Sequence, residues 1–506
     1  MKNKQIKLGA VISYVAIFIN IAAMMIYTPW VKDQIGIDNY GLYTLANSFI
    51  SVFLIDFGIG SSVSRFIAKY RAENNEEGIR NVLGLVYKLY IFIDIVLFVI
   101  LFVLFFFIKN IYVGLTLEEL GQFKILYVII AVFSLVSFPF TTLSGIFNAY
   151  EKFVPLKLCD LFQKLFSVVL VIIALAFDMG VVAIVSANVV SGICAIVIKL
   201  ILLKRITPFK VNFLANDKML LKEIVGFSVW VMILGIAQRL TYNIAPSILG
   251  IVSNTTQIAL YSPASAIAGY FYTFATAVNG LFLPMISRKI ASNKEDDILP
   301  LMIKVGRFQV VVLGLLWVGF FCIGKEFMQL WMGEEFTVAY FCAVILALPT
   351  IFEYSQQIAN TTIIAKNKVK LQSIGLLCTA VLNVIIAPLL SYKWGAWGVS
   401  LSIVITAFLN LVYINIVYYK VLKINIFEFF KKCYVSILIS IVVSIVVILS
   451  IFHVIPDHGW ITLIIKGIIT AIVFFISVFI FHIGKDEKKS LLKTLFRRRK
   501  NEPHQK

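Results

Sequence analysis

The sequence predicts an all-α polytopic membrane protein of about fourteen transmembrane helices, built as two six-helix lobes in parallel repeat plus two further helices. Three observations carry that prediction. The 506 residues are 60% hydrophobic and only 14% charged, with a mean hydropathy of +0.95, far from the ~25% charged residues of a soluble domain. The chain divides into about fourteen apolar runs, most near the ~20 residues that cross a bilayer as helix. A set of short signatures in the first half returns in the second at a nearly constant offset.

In chain order the runs cover 8–30, 41–64, 81–108, 123–149, 155–177, 181–203, 223–251, 257–286, 301–324, 337–364, 369–390, 396–419, 432–454 and 459–483. Lys2, Lys4 and Lys7 precede the first run, which is too long for a signal-peptide core and is read as retained. The implied domains are an N-terminal lobe (1–205), a C-terminal lobe (206–422), two additional helices (423–484) and a basic tail (485–506).

The net charge of +19 is distributed loop by loop. About 36 of the 45 Lys and Arg fall at the termini and in or just beside the even-numbered loops, against about five in or beside the odd-numbered ones. By the positive-inside rule both termini are cytoplasmic, as an even number of spans requires. The tail Arg497-Arg498-Arg499-Lys500 suits anionic lipid heads at roughly 1 kcal/mol per base, so nucleic acid is not expected as a partner. The six cysteines stand singly with no CxxC, which is neither a disulfide framework nor a metal site. No metal and no cofactor are expected.

The repeat is read from four correspondences. Ser64-Arg65-x-Ile67-Ala68 returns as Ser287-Arg288-x-Ile290-Ala291, and Gly41-Leu42-Tyr43 with Ala46 as Ala259-Leu260-Tyr261 with Ala264. Ala149 and Lys152 match Ala365 and Lys368, and Gly180 matches Gly395. Each unit holds six spans, an even number, so the two lie the same way up in the membrane. Arg65 and Arg288 end the second and eighth spans, where a snorkelling base fixes helix depth.

Catalytic motifs are lacking, and no enzyme is expected. Gly319-Phe-Phe-Cys-Ile-Gly324-Lys325 spells most of a P-loop, yet Glu326 stands where magnesium needs a hydroxyl, and the segment lies in an apolar span. Candidate sites are therefore the ionisable residues inside spans. Asp160 and Lys164 at i, i+4 read as a helical ion pair, with Lys88 and Asp94 available to the same network, and Lys466 is close enough to its outer end to snorkel. Asp56 lies nine residues before Arg65, about 13 Å deeper and on the opposite helix face, so it cannot pair within a regular helix. On the seventh span Gly235, Arg239, Tyr242 and Pro246 recur at i, i+4, i+7, i+11 with Gln238 and Asn243 beside them. Glu353, Gln356, Gln357 and Asn360 form a polar stripe on the tenth. Arginine cannot be neutralised by losing its proton, so Arg239 should face water, an anion or a buried partner such as Glu353.

The stretches DFGIGSSVSRFIAKY, GIFNAYEKFVPLK, IALYSPASAI and Asn383 to Gly395-x-x-Gly398 together resemble the polysaccharide and O-antigen repeat-unit flippases. These belong to the superfamily that also holds the multidrug-and-toxin exporters and the lipid II flippase. The resemblance implies two lobes around a cavity opening alternately to each side, lined by the first, second, seventh and eighth spans. It implies a flippase for an undecaprenyl-pyrophosphate-linked glycan in a bacterial cell membrane, with membrane lipids and a polysaccharide polymerase and assembly proteins as partners. Arg239, Gln238, Tyr242, Asn243 and Asn20, the strongly polar residue inside the first span, would meet the substrate, and Asp56 and Glu353 would couple an ion. The alternative is a multidrug-type cation antiporter of the same superfamily, which a mid-membrane arginine disfavours. A glycosyltransferase would need a large external loop or a catalytic acid cluster, and the loops are short.

Overall fold

The computed structural model describes residues 21–53, 58–207, 210–276, 282–292, 294–455 and 459–482. Among the described residues every regular element is helical, and ten helices are long and apolar enough to cross a membrane. One of the ten, Val369–Val421, is two spans merged across non-helical backbone at Gly395. The predicted first, second and eighth spans run into undescribed residues, so the full count of fourteen stays a sequence expectation.

The helix ends follow ordinary capping chemistry. Thr116 and Glu119 form a reciprocal capping box at the start of the fourth span, and Asn75, Asp217 and Asn425 each accept a backbone N–H at the start of theirs. Each satisfies a donor that the first helical turn leaves without an intrahelical partner.

The repeat is written into the backbone. The fourth span ends at Ala149 with Glu151 at φ 58°, and the tenth ends at Ala365 with Asn367 at φ 55°. The closing hydrogen bonds are equivalent: Lys152 N to Phe147 O and Lys368 N to Ile363 O, each 2.9 Å. Gly180 and Gly395 both adopt positive φ, 72° and 51°. Both spans also break one turn or more before these ends, at Phe138–Thr141 and at Gln356.

The chain forms two compact units, one of residues 1–263 and 369–406, the other of 264–368 and 407–506. These contact units cut across the sequence repeat, since the seventh and eleventh spans pack within the first. In the first unit Ile59, Val63, Phe66 and Ile67 pack on Leu83, Val86 and Tyr90 and on Phe138, Leu143 and Phe147. Small residues allow that approach: a Cβ on Gly145 would lie 2.3 Å from the Gly60 carbonyl. The fifth and sixth spans, Phe153–Ala176 and Gly180–Ile206, form an antiparallel hairpin. Asp160 there pairs at 2.9 Å with Lys199 of the sixth span rather than with Lys164. Lys88 donates to the Ala215 carbonyl at 2.8 Å and does not join Asp94. In both cases a partner on another element outcompetes the one that sequence spacing offers.

In the second unit the last two spans, Ile426–Phe452 and Gly459–Ser477, pack on Ile298–Met332. Lys466 does not snorkel: it is 2% exposed, pairs with Glu326 at 2.9 Å and lies over the Phe452 ring. At the base of this unit, outside the spans, Lys289 bonds Asp297 at 2.7 Å and holds its carboxyl below the ordinary aspartate range.

Candidate transport site

The seventh span begins at Asp217, whose side chain caps Leu220 N, and runs as helix to Tyr242. It then breaks. Asn243 N and Ile244 N both turn to the Arg239 carbonyl, at 3.0 and 3.1 Å, and a second helix, Ala245–Val252, starts with Pro246 in its first turn. Pro246 has no N–H for the Tyr242 carbonyl, so the sequence forces a discontinuity here. The predicted stripe is correspondingly two pieces: Pro246 belongs to the buried second helix, and the i+11 register does not run through one regular helix.

A break inside a membrane span frees backbone groups that must be satisfied by protein or water. In a continuous helix Ile244 N would serve the Leu240 carbonyl. Here Asn383 of the eleventh span takes that role, donating Nδ2 to Leu240 O at 3.2 Å and to Thr241 O at 3.4 Å. Ser402 of the twelfth span donates to Asn383 Oδ1 at 2.7 Å, which fixes the amide orientation. Asn383 and Ser402 are fully buried. Sequence reasoning singled out the Asn383 segment without assigning this role, because a lone Asn in an apolar helix names no partner.

The N-terminal half of the span is braced separately. Ser62 of the second span bonds Ser228 at 2.6 Å. Ser373 donates to the Trp230 carbonyl at 3.3 Å, and Lys370 lies 5.2 Å from the Trp230 ring centroid.

Arg239 therefore sits on a braced helix, one turn before the break. It is partly buried, and Gln238 and Tyr242 beside it are exposed, Tyr242 at 46%. Among the described residues the Arg239 guanidinium makes no side-chain hydrogen bond or ion pair. Asn243, the residue at the break, is partly buried. A permanently charged, partly desolvated and unpaired guanidinium with a polar rim can bind phosphate or carboxylate through two parallel hydrogen bonds.

In the second unit the tenth span breaks at Gln356, between Thr337–Ser355 and Gln357–Ala365. Glu353 lies in the last turn of the first piece, partly buried, next to the buried Tyr418 of the twelfth span. No ion pair engages it among the described residues. The structure thus locates Arg239, Gln238, Tyr242 and Asn243 together and Glu353 in the other unit, while Asn20 and Asp56 lie outside the described residues.

No curated protein sequence matches the chain. Among solved structures it is similar to the lipid II flippase MurJ in an inward closed conformation, with a TM-score of 0.68 and 15% identity over 94% of this chain and 98% of that one. It is similar to a multidrug-resistance MATE transporter of the MOP superfamily in an inward-facing conformation, at 0.64 and 13% over 77% of this chain and 92% of that. A MOP-superfamily transporter from Pyrococcus furiosus, described by the reverse polarity of its binding pocket, gives 0.56 and 13% over 81% and 93%. Identities this low establish the fold, that of the MOP-superfamily transporters. The family model for polysaccharide biosynthesis proteins matches residues 7–289, more than half of the chain. With fold and family match in agreement, this chain belongs to the polysaccharide biosynthesis protein family and has the MOP-superfamily fold.

Proposed function

We propose that the protein is a flippase that moves a polyprenyl-pyrophosphate-linked oligosaccharide from the cytoplasmic to the outer leaflet of a bacterial cell membrane. Both termini lie in the cytoplasm on this reading, the two lobes alternate access, and the lipid tail stays in the bilayer while the glycan crosses. The observation that carries it is Arg239: a guanidinium with no partner among the described residues, held one turn before a helix break. A charge inside a membrane costs roughly 2.5–3.5 kcal/mol even on a forgiving insertion scale, so it needs a use. The pyrophosphate or an acidic sugar supplies one.

Glu353, with Asp56, couples an ion. The driving force is an ion gradient or the membrane potential, worth about 2.3 kcal/mol per charge per 100 mV. The family match to polysaccharide biosynthesis proteins supports the glycan cargo, and a polymerase acting on the outer leaflet is the partner this cargo calls for.

The test is reconstitution. Purified protein in liposomes should carry a labelled polyprenyl-pyrophosphate oligosaccharide from the inner leaflet to one where an added glycosidase or lectin reaches it. Cation-gradient-driven uptake of a lipophilic cationic dye, without any glycolipid movement, would instead establish the multidrug-antiporter alternative.

A further inference from the structure

The helix Thr255–Thr276 of the eighth span carries no charged residue, and yet it is not among the ten helices apolar enough to cross a membrane. The reason lies on one side of it. Gly269, Tyr272, Thr273 and Thr276, all in the second unit, stand at i, i+3, i+4 and i+7 and share a face. Phe271 and Ala275 are buried instead, and Gln309 of the ninth span donates to the Ala275 carbonyl at 3.2 Å.

Tyr272 is the largest group on the shared face, and it is 52% exposed. It stands midway between Thr255 and Arg288, at the depth of the bilayer core. A half-open tyrosine at that depth meets either hydrocarbon or water. Its hydroxyl has no hydrogen-bond partner among the described residues, and hydrocarbon would offer none. The side chains that the third span exposes, Phe92, Ile95, Phe98, Phe102 and Phe106, carry no polar atom at all. The Tyr272 face therefore borders an aqueous space, and a Cβ added to Gly269 one turn away would meet nothing within 4 Å.

Thr273 and Thr276 spend their donors within the helix, on the Gly269 and Tyr272 carbonyls, each at 2.9 Å. Their hydroxyl oxygens are left as acceptors. Against Tyr272 stands Tyr354, in the last turn of the helix Thr337–Ser355. The two ring centroids lie 5.5 Å apart with an interplanar angle of 85°, so the rings make a right-angled aromatic corner.

A pyranose has two kinds of surface: C–H groups on its faces, which pack on an aromatic ring, and hydroxyls around its rim, which need donors and acceptors. The corner supplies flat apolar rings together with phenol and threonine oxygens. A lipid tail would leave those oxygens unsatisfied, and an ionic group finds no counter-charge on Thr255–Thr276. We propose that Tyr272 and Tyr354 form a stacking subsite for an uncharged sugar ring of the cargo. The proposal rests on the glycan-flippase reading and assigns residues that recognise the sugar, where Arg239 holds the anion.

Equilibrium binding to the purified full chain in detergent tests it with two radiolabelled probes: the polyprenyl-pyrophosphate oligosaccharide extracted from cells that natively make the protein, and undecaprenyl pyrophosphate carrying no sugar. Wild type should bind the glycosylated lipid about tenfold or more tighter than the bare one. Tyr272→Ala should lose that preference, binding the glycosylated lipid about tenfold more weakly while holding the bare lipid as wild type does. Tyr272→Phe keeps the ring and should retain most of the preference, whereas Tyr272→Leu keeps apolar bulk without a flat face and should behave as the alanine variant. Phe274→Ala, at a position turned away from the shared face, should bind both lipids as wild type does. Equal affinity of wild type for the two lipids overturns the proposal and leaves the flippase reading standing, whereas binding of neither removes that reading and the proposal with it. A preserved preference in folded Tyr272→Ala or Tyr272→Leu also overturns the subsite, as does an equal loss toward both lipids, which marks a damaged fold and not a sugar contact.

Discussion

Replacing Asn383 with Leu removes the donor that holds the break of the seventh span while keeping the side chain near its original size. In the native structure Nδ2 serves Leu240 O at 3.2 Å and Thr241 O at 3.4 Å, and Oδ1 receives Ser402 at 2.7 Å. An orphaned buried carbonyl costs about 1–3 kcal/mol, although inter-helix bonds in membranes average nearer 0.6 kcal/mol because the reference state finds other partners. The Thr241 bond is long and adds little, and the Ser402 hydroxyl can turn back to its own helix. A loss of about 1–3 kcal/mol is therefore expected from one carbonyl. Ser402→Ala keeps both Nδ2 bonds and should cost under about 1 kcal/mol, and the double variant should be less than additive. Reversible unfolding in mixed micelles reads the stabilities, and the flipping assay should slow in Asn383→Leu because the turn bearing Arg239 is no longer fixed. The clamp argument fails if Asn383→Leu stays within about 0.5 kcal/mol of wild type, or if Ser402→Ala is the more damaging change.

Lys466→Met leaves Glu326 charged and buried and should lose about 3–5 kcal/mol, with Glu326→Leu in the same chain restoring most of it; additive losses in the unfolding assay would show that the pair does not exist as described. Gly395→Ala places an L residue at φ 51°, ψ −128° with its Cβ 2.2 Å from Gln257 Oε1, whereas Gly180→Ala at φ 72° meets open space. The first should fail to accumulate in the membrane, and the second should cost only the left-handed strain of about 1–2 kcal/mol. Arg65→Lys and Arg288→Lys, both at exposed positions, should insert and flip like wild type, because either side chain snorkels; lost flipping with normal insertion would mean that the arginine touches cargo.

The spans were legible because hydropathy and length are one-dimensional properties. So was the repeat: Gly180 and Gly395 share positive φ, and Glu151 and Asn367 share it one residue before the matched lysines. Pro246 signalled a discontinuity in the seventh span, but its place at Asn243–Ile244 depends on which carbonyl the freed N–H groups choose, and the sequence does not encode that locally. Partner choice was the least legible quantity. Asp160 prefers Lys199 to Lys164, and Lys466 turns inward to Glu326. A helix that is apolar all round gives no periodic cue to which face is packed. The role of Asn383 was hidden for the same reason.

Arg239→Ala and Arg239→Lys, compared in the reconstituted flipping assay at matched protein incorporation, test the central claim most directly. The account predicts that the alanine variant is inactive and that lysine retains only part of the rate, since a point charge replaces a planar two-donor fork. Wild-type flipping by folded Arg239→Ala would contradict it.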